Sequence, residues 1–148
     1  MLIVGRVLLV LVVSFMLLLA AWIFVWTTED LIPSPDGASH VLVQTRGCMA
    51  DCILAVKLQA GWRTITLAER ADCAVGFAYA KWFDNVVAVL VDGVYCGDLN
   101  AAYDLSTNQP VDYEKYKSRL TQAIIEAYGA SPGTPAIREQ YYRRKKRP

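Results

Sequence analysis

One histidine, His40, serves the whole chain of 148 residues. A histidine-based metal site therefore lacks its second ligand, and a Ser–His–Asp set could draw only on that one side chain. No glycine-rich phosphate loop is present, and no internal repeat marks a solenoid or propeller. Five aspartates, Asp51, Asp72, Asp84, Asp92 and Asp98, are the candidates for paired-carboxylate chemistry. Each falls in or beside an expected turn, where aspartate is common because it bonds its own backbone. The sequence points away from an enzyme, a metal and a cofactor. The catalytic alternatives that remain are those aspartates and a Cys48-x-x-x-Cys52 thiol pair, one residue longer than the thioredoxin spacing.

Charge is also missing from one long stretch. From Val7 to Trp26 every residue except Ser14 is apolar, and no Lys or Arg follows Arg6 until Arg46. Twenty residues make a helix of about 30 Å, the thickness of a bilayer's hydrocarbon core. This predicts an uncleaved signal-anchor at 7–26, too long for a cleavable apolar region. Arg6 on the short side and Glu29, Asp30 and Asp36 on the other place residues 1–6 in the cytoplasm and the rest outside. The expected location is a single-pass protein of a bacterial inner membrane with its domain in the periplasm.

The net charge of +1 conceals an asymmetry. Residues 27–137 carry eight Lys or Arg against thirteen Asp or Glu, and residues 138–148 carry six against one. An acidic domain is thus followed by a basic end. Residues 130–148 are expected to be a flexible tail, with Arg138, Arg143, Arg144, Lys145, Lys146 and Arg147 forming an electrostatic hook for anionic envelope polymers, lipid headgroups or an acidic protein face. The competing reading is a solvated tail folded back on the domain. Nucleic acid is not an expected partner.

Between these ends the pattern is mostly β. Residues 27–39 read as a linker, because Pro33 and Pro35 disfavour helix and Pro35-Asp36-Gly37 signals a turn. The tetrapeptide from Ser34 resembles the turn that opens propeller blades, a likeness confined to four residues. Strands are expected at His40–Arg46, Cys52–Gln59, Trp62–Leu67, Cys73–Ala80, Val86–Val91 and Ala102–Leu105. Leu54, Val56 and Leu58 mark a core face. VVAVLV reads as a central strand buried on both sides, with Asp92-Gly93 as a hairpin turn after it. Tyr113 to Tyr128 should form a helix capped by Asp112 and stopped at Gly129. Tyr113, Tyr116, Leu120, Ala123, Ile124, Ala127 and Tyr128 form its apolar stripe.

All four cysteines, Cys48, Cys52, Cys73 and Cys96, lie in residues 40–129. An even count in a small exported domain suggests disulfides. Of three possible pairings, Cys48–Cys52 with Cys73–Cys96 is favoured because Met49-Ala50-Asp51 is short enough for a local ring. The expected protein is α+β: a transmembrane helix, then a small antiparallel sheet with one C-terminal amphipathic helix. It would act as a membrane-anchored, extracytoplasmic binding module for a protein or envelope polymer, or else as an accessory subunit of a membrane complex.

Overall fold

The computed structural model describes residues 2–24, 27–47 and 52–146, with the side chains of the first helix described over 6–20. That helix, α1, is Leu2–Phe24. The large apolar side chains of Val7–Val13 and Phe15–Leu19 are exposed and contribute nothing to the core. The expected membrane anchor is overturned here. Among the described residues no helix is long and apolar enough to cross a membrane. The single-pass, signal-anchor and periplasmic reading rested on that anchor and loses its support.

The expected single sheet with one helix is also corrected. The domain has two four-stranded antiparallel sheets and two further helices. The first sheet is the meander β1 (Thr27–Pro33), β2 (Ser39–Arg46), β3 (Ile53–Ala60) and β4 (Arg63–Ala71). The second is β5 (Ala74–Phe83), β6 (Val86–Val94), β7 (Gly97–Asp104) and β8 (Gln109–Val111). The chain passes between them at Asp72-Cys73. Asp72 has φ +57°, and the Cys73 amide donates to the Cys52 carbonyl. This link is as short as the hairpin loops, but β4 and β5 do not pair.

The segment read as a linker is an edge strand. Thr27–Pro33 pairs with β2 from Thr27–Thr45 to Pro33–His40, with a register shift between Thr28 and Asp30. Pro33, which has no N–H to donate, stands at the strand's end, where it costs little. The turn is built as its residues imply. The Gly37 amide donates to the Ser34 carbonyl, Ser34 Oγ donates to Asp36, and Gly37 takes φ +70°. At the β3–β4 hairpin Ala60 pairs with Arg63, so Trp62 is a loop residue and not the first residue of a strand.

One core joins both sheets and the helices. Val41 and Val43 on β2, Leu54, Val56 and Leu58 on β3, and Phe77 on β5 are buried. Every residue from Val86 to Gly93 is buried, so β6 is covered on both faces. Helix α2, Glu114–Tyr128, packs Leu120 and Ile124 into this cluster. The Glu114 amide donates to the Asp112 carboxylate at its start, and Gly129 ends it at φ +69° with its N–H on the Ile125 carbonyl.

The stretch read as a flexible tail contains a helix, α3, Pro135–Lys145. Pro135 fits the first helical turn, where no N–H is needed. Ile137 and Tyr141, four residues apart on one face, are buried against the same core. Only two apolar anchors in eleven residues make the pattern easy to overlook.

Candidate functional site

The basic end meets the domain mainly at Asp92. This aspartate lies inside β6 with a side chain 4% exposed, not in a hairpin turn. Arg138 Nε donates to one carboxylate oxygen at 2.6 Å and its NH2 nitrogen to the other at 2.7 Å. Two parallel charge-assisted bonds of this kind are strong and directional. Gly76 on β5 makes the approach possible. A Cβ there would lie 3.1 Å from Arg138 Nε and 3.0 Å from the Asp92 carbonyl oxygen.

Other bonds tie α3 to both sheets. Tyr141 donates its hydroxyl to the Asp30 carboxylate of β1 at 2.6 Å, and Tyr142 donates to the Val75 carbonyl of β5 at 2.6 Å. Burial first, then the bond to Asp30, pushes the Tyr141 hydroxyl well above its ordinary range. Arg144 reaches the Ala127 carbonyl at the end of α2 and lies 4.3 Å over the Tyr128 ring. Arg143 pairs with Glu139, and Lys145 stands 3.7 Å from Glu29. These last two pairs are solvent-exposed and add little. Lys146 is exposed, and Arg147 lies outside the described residues. Four of the six cations expected to seek an outside partner are thus engaged within the chain.

Immediately after Asp92 comes a cross-linked tip. Cys73 and Cys96 form a disulfide with Cα atoms 5.3 Å apart. Cys52 is also disulfide-bonded, while Cys48 lies outside the described residues. Cross-links of this kind persist in an oxidising compartment. Gly93 leaves room for the staple: a Cβ there would fall 2.6 Å from the Gly97 carbonyl oxygen and against both sulfurs. The β6–β7 loop is therefore Tyr95-Cys96, since Gly93 pairs with Gly97. Arg70 of β4 braces it by donating to the Cys96 carbonyl at 2.6 Å.

Tyr95 has φ +78° and is 93% exposed. A left-handed backbone costs a side-chain-bearing residue roughly 1–2 kcal/mol, and a bulky residue adopts it rarely. Trp62, at the tip of the β3–β4 hairpin, is 86% exposed, but there Gly61 takes the positive φ. Strain and exposure coincide at Tyr95 alone of these two tips.

The remaining candidates do not assemble into chemistry. Asp51 lies outside the described residues. Asp72 and Asp84 have positive φ in connecting turns, and Asp92 is bonded to Arg138. Asp98 faces Asp92 across β6 and β7, and burial followed by the Asp92 charge holds its carboxyl above the usual range. Among the described residues no group of three His, Cys, Asp or Glu side chains could hold a metal ion. Gly129-Ala130-Ser131-Pro132-Gly133 has the spacing of a nucleophile elbow. It joins two helices, whereas an elbow requires a strand before the serine. The Asp92–Arg138 pair and the Tyr95 tip were missed, because an Asp-Gly dipeptide reads as a turn and the true loop lies three residues later. No family model matches the chain, no curated protein matches it, and no solved structure matches it.

Proposed function

We propose that this protein is a non-catalytic binding module whose contact point is the disulfide-braced β6–β7 tip, with Tyr95 as its anchor for a protein partner. The observation that carries the reading is the combination at Tyr95. A large aromatic side chain stands almost wholly in solvent on a strained backbone. Unfavourable φ values persist where surroundings over-determine them, and they concentrate at functional positions. Tyrosine offers a rigid, amphipathic contact area at low entropic cost and is enriched among interface hot spots. The braces at Cys73, Cys96 and Arg70 hold the loop backbone that carries Tyr95 before contact, which lowers the ordering cost of association. An anionic polymer is a poorer candidate, because the cations of the C-terminal helix are engaged internally.

The test places a photo-crosslinking phenylalanine at position 95, and at Gln122 as a control, in cells producing the full chain. A discrete protein adduct at 95 but not at 122, competed by unlabelled wild type and not by Tyr95→Gly, supports the reading. Equal competition by Tyr95→Gly, with its disulfide intact, refutes it.

A further inference from the structure

Residues 27–137 hold eight Lys or Arg against thirteen Asp or Glu, so a cation there has carboxylates to choose from. Two of the eight, Lys81 on β5 and Arg119 on α2, nevertheless make no ion pair and no hydrogen bond among the described residues. Both are exposed, and both line one cleft of ≈ 400 Å³ between β5 and α2. That volume falls within the span of small-molecule sites. Half-buried Phe83 and Ala123 give the cleft its apolar surface.

Arg119 is held in place. Its guanidinium lies 4.3 Å over the Phe83 ring, and Phe83 is itself stacked on Tyr116 with centroids 5.8 Å apart. A guanidinium laid on one ring keeps its edge donors and its outer face for a partner. The edge fits a carboxylate or phosphate, and the outer face takes a second flat ring. Lys81 brings another positive charge and Ser118 an exposed hydroxyl. The carboxylate that also lines the cleft, Glu126, accepts from Gln122 Nε2 at 3.0 Å. It stands about two helical turns beyond Arg119, roughly 10 Å along α2. We infer that this cleft binds a small aromatic anion, a flat ring carrying one carboxylate or phosphate. The anionic group sits between Lys81 and Arg119, and the ring lies on the outer face of the Arg119 guanidinium. This site does not rest on the Tyr95 reading.

The experiment titrates the full-length oxidised protein with 1-naphthyl phosphate and 1-naphthoate, following amide chemical shifts. Inorganic phosphate and 1-naphthol are the arms that carry the anion or the ring alone. The expected result is saturable binding of either naphthyl anion, with shifts confined to residues 81–83 and 115–126. Phosphate or naphthol alone binds about tenfold more weakly, because each makes only one of the two contacts. Lys81→Met and Arg119→Met each weaken the naphthyl anion about three- to fivefold, the worth of an exposed charged contact. Arg63→Met is the control: Arg63 is another exposed cation, 5.2 Å from the Trp62 ring centroid and outside the cleft, and its loss changes nothing. Binding without saturation, shifts elsewhere, an affinity unmoved by Lys81→Met and Arg119→Met, an equal loss in Arg63→Met, or naphthol binding as tightly as its phosphate would overturn the inference. All three substituted side chains are exposed, so the variants keep the fold and the comparison stands.

Discussion

Replacing Arg138 with methionine tests whether the C-terminal helix is latched to the domain by one buried carboxylate. The two partners are unequal in exposure: Arg138 is 38% exposed at its side chain, Asp92 only 4%. Removing the arginine strands a charge that cannot turn to water, a loss that costs roughly 3–5 kcal/mol for buried pairs. Partial exposure of the guanidinium argues for the lower end, about 3 kcal/mol. Asp92→Asn leaves the arginine free to turn outward and keeps one acceptor, so its cost should be smaller, about 1–2 kcal/mol. The double variant Asp92→Leu/Arg138→Met removes both charges and should fall within about 1 kcal/mol of wild type, since apolar replacement of a buried pair is often neutral. The order is therefore Arg138→Met worst, Asp92→Asn intermediate and the double variant mildest. Urea unfolding of the oxidised protein at neutral pH, followed by tryptophan fluorescence, reads all three. An Arg138→Met cost within about 0.5 kcal/mol of wild type, the range of ordinary surface changes, would refute the latch.

Four further outcomes follow from the same geometry. Gly76→Ala should cost about 1–3 kcal/mol in the same unfolding assay, because its Cβ would press on the Asp92 carbonyl and Arg138 Nε and backbone cannot yield cheaply. Tyr141→Phe should cost about 1–2 kcal/mol, the value of a hydrogen bond to a carboxylate reduced by partial exposure, and should raise amide exchange in α3. Replacing Cys73 and Cys96 together with alanine should cost about 2–4 kcal/mol, measured against oxidised wild type. Asp98→Asn should change the pH profile. Burial, with Asp92 opposite, raises the Asp98 carboxyl in the folded state, so the native form binds more protons than the unfolded one between the ordinary carboxylate value and the raised one. Stability from this group therefore falls as pH rises through that window, and the variant should gain on wild type above it. Asp36 and Asp104, lowered mainly by hydrogen bonds from Ser34 and Ser106, act with the opposite sign at more acid pH and cancel in the difference. A wild-type-minus-variant difference that stays flat with pH would refute the assignment.

Local pattern was enough for β2, β3 and α2, where apolar spacing and terminating residues agree. Leu54, Val56 and Leu58 are buried on one parity, and Leu120 and Ile124 on one helix face. It failed where a distant residue decides. Thr27–Pro33 looks like spacer because its strand character comes from pairing with β2, and Pro33, the nearby Pro35 and two acids hide it. Asp92-Gly93 carries the composition of a turn, yet β6 continues through it. Arg138, 46 residues away, satisfies the aspartate, and the glycine is there for the disulfide beside it. The division into two sheets is invisible because the β4–β5 link is as short as the hairpins around it. The apolar run of α1 obeyed the composition rules for a span, yet among the described residues no helix is long and apolar enough to cross a membrane.

The misread Asp92-Gly93 stretch gives the tip its logic. Asp92 is held by α3, Gly93 admits the sulfurs of Cys73 and Cys96, and Arg70 grips the carbonyl next to Tyr95. These braces over-determine the backbone at Tyr95, the condition under which an unfavourable φ persists. Relaxing the backbone and removing the ring can then be separated. Tyr95→Gly relieves roughly 1–2 kcal/mol of left-handed strain against about 0.4–1 kcal/mol of added unfolded-state entropy, so stability should hold or rise while partner contact is lost. Reducing the Cys73–Cys96 bond keeps the ring but frees the loop, so contact should weaken while Tyr95 remains present. If the reduced, still-folded protein were crosslinked at position 95 as efficiently as the oxidised one, the braces would serve stability alone and the strain at Tyr95 would have no part in recognition.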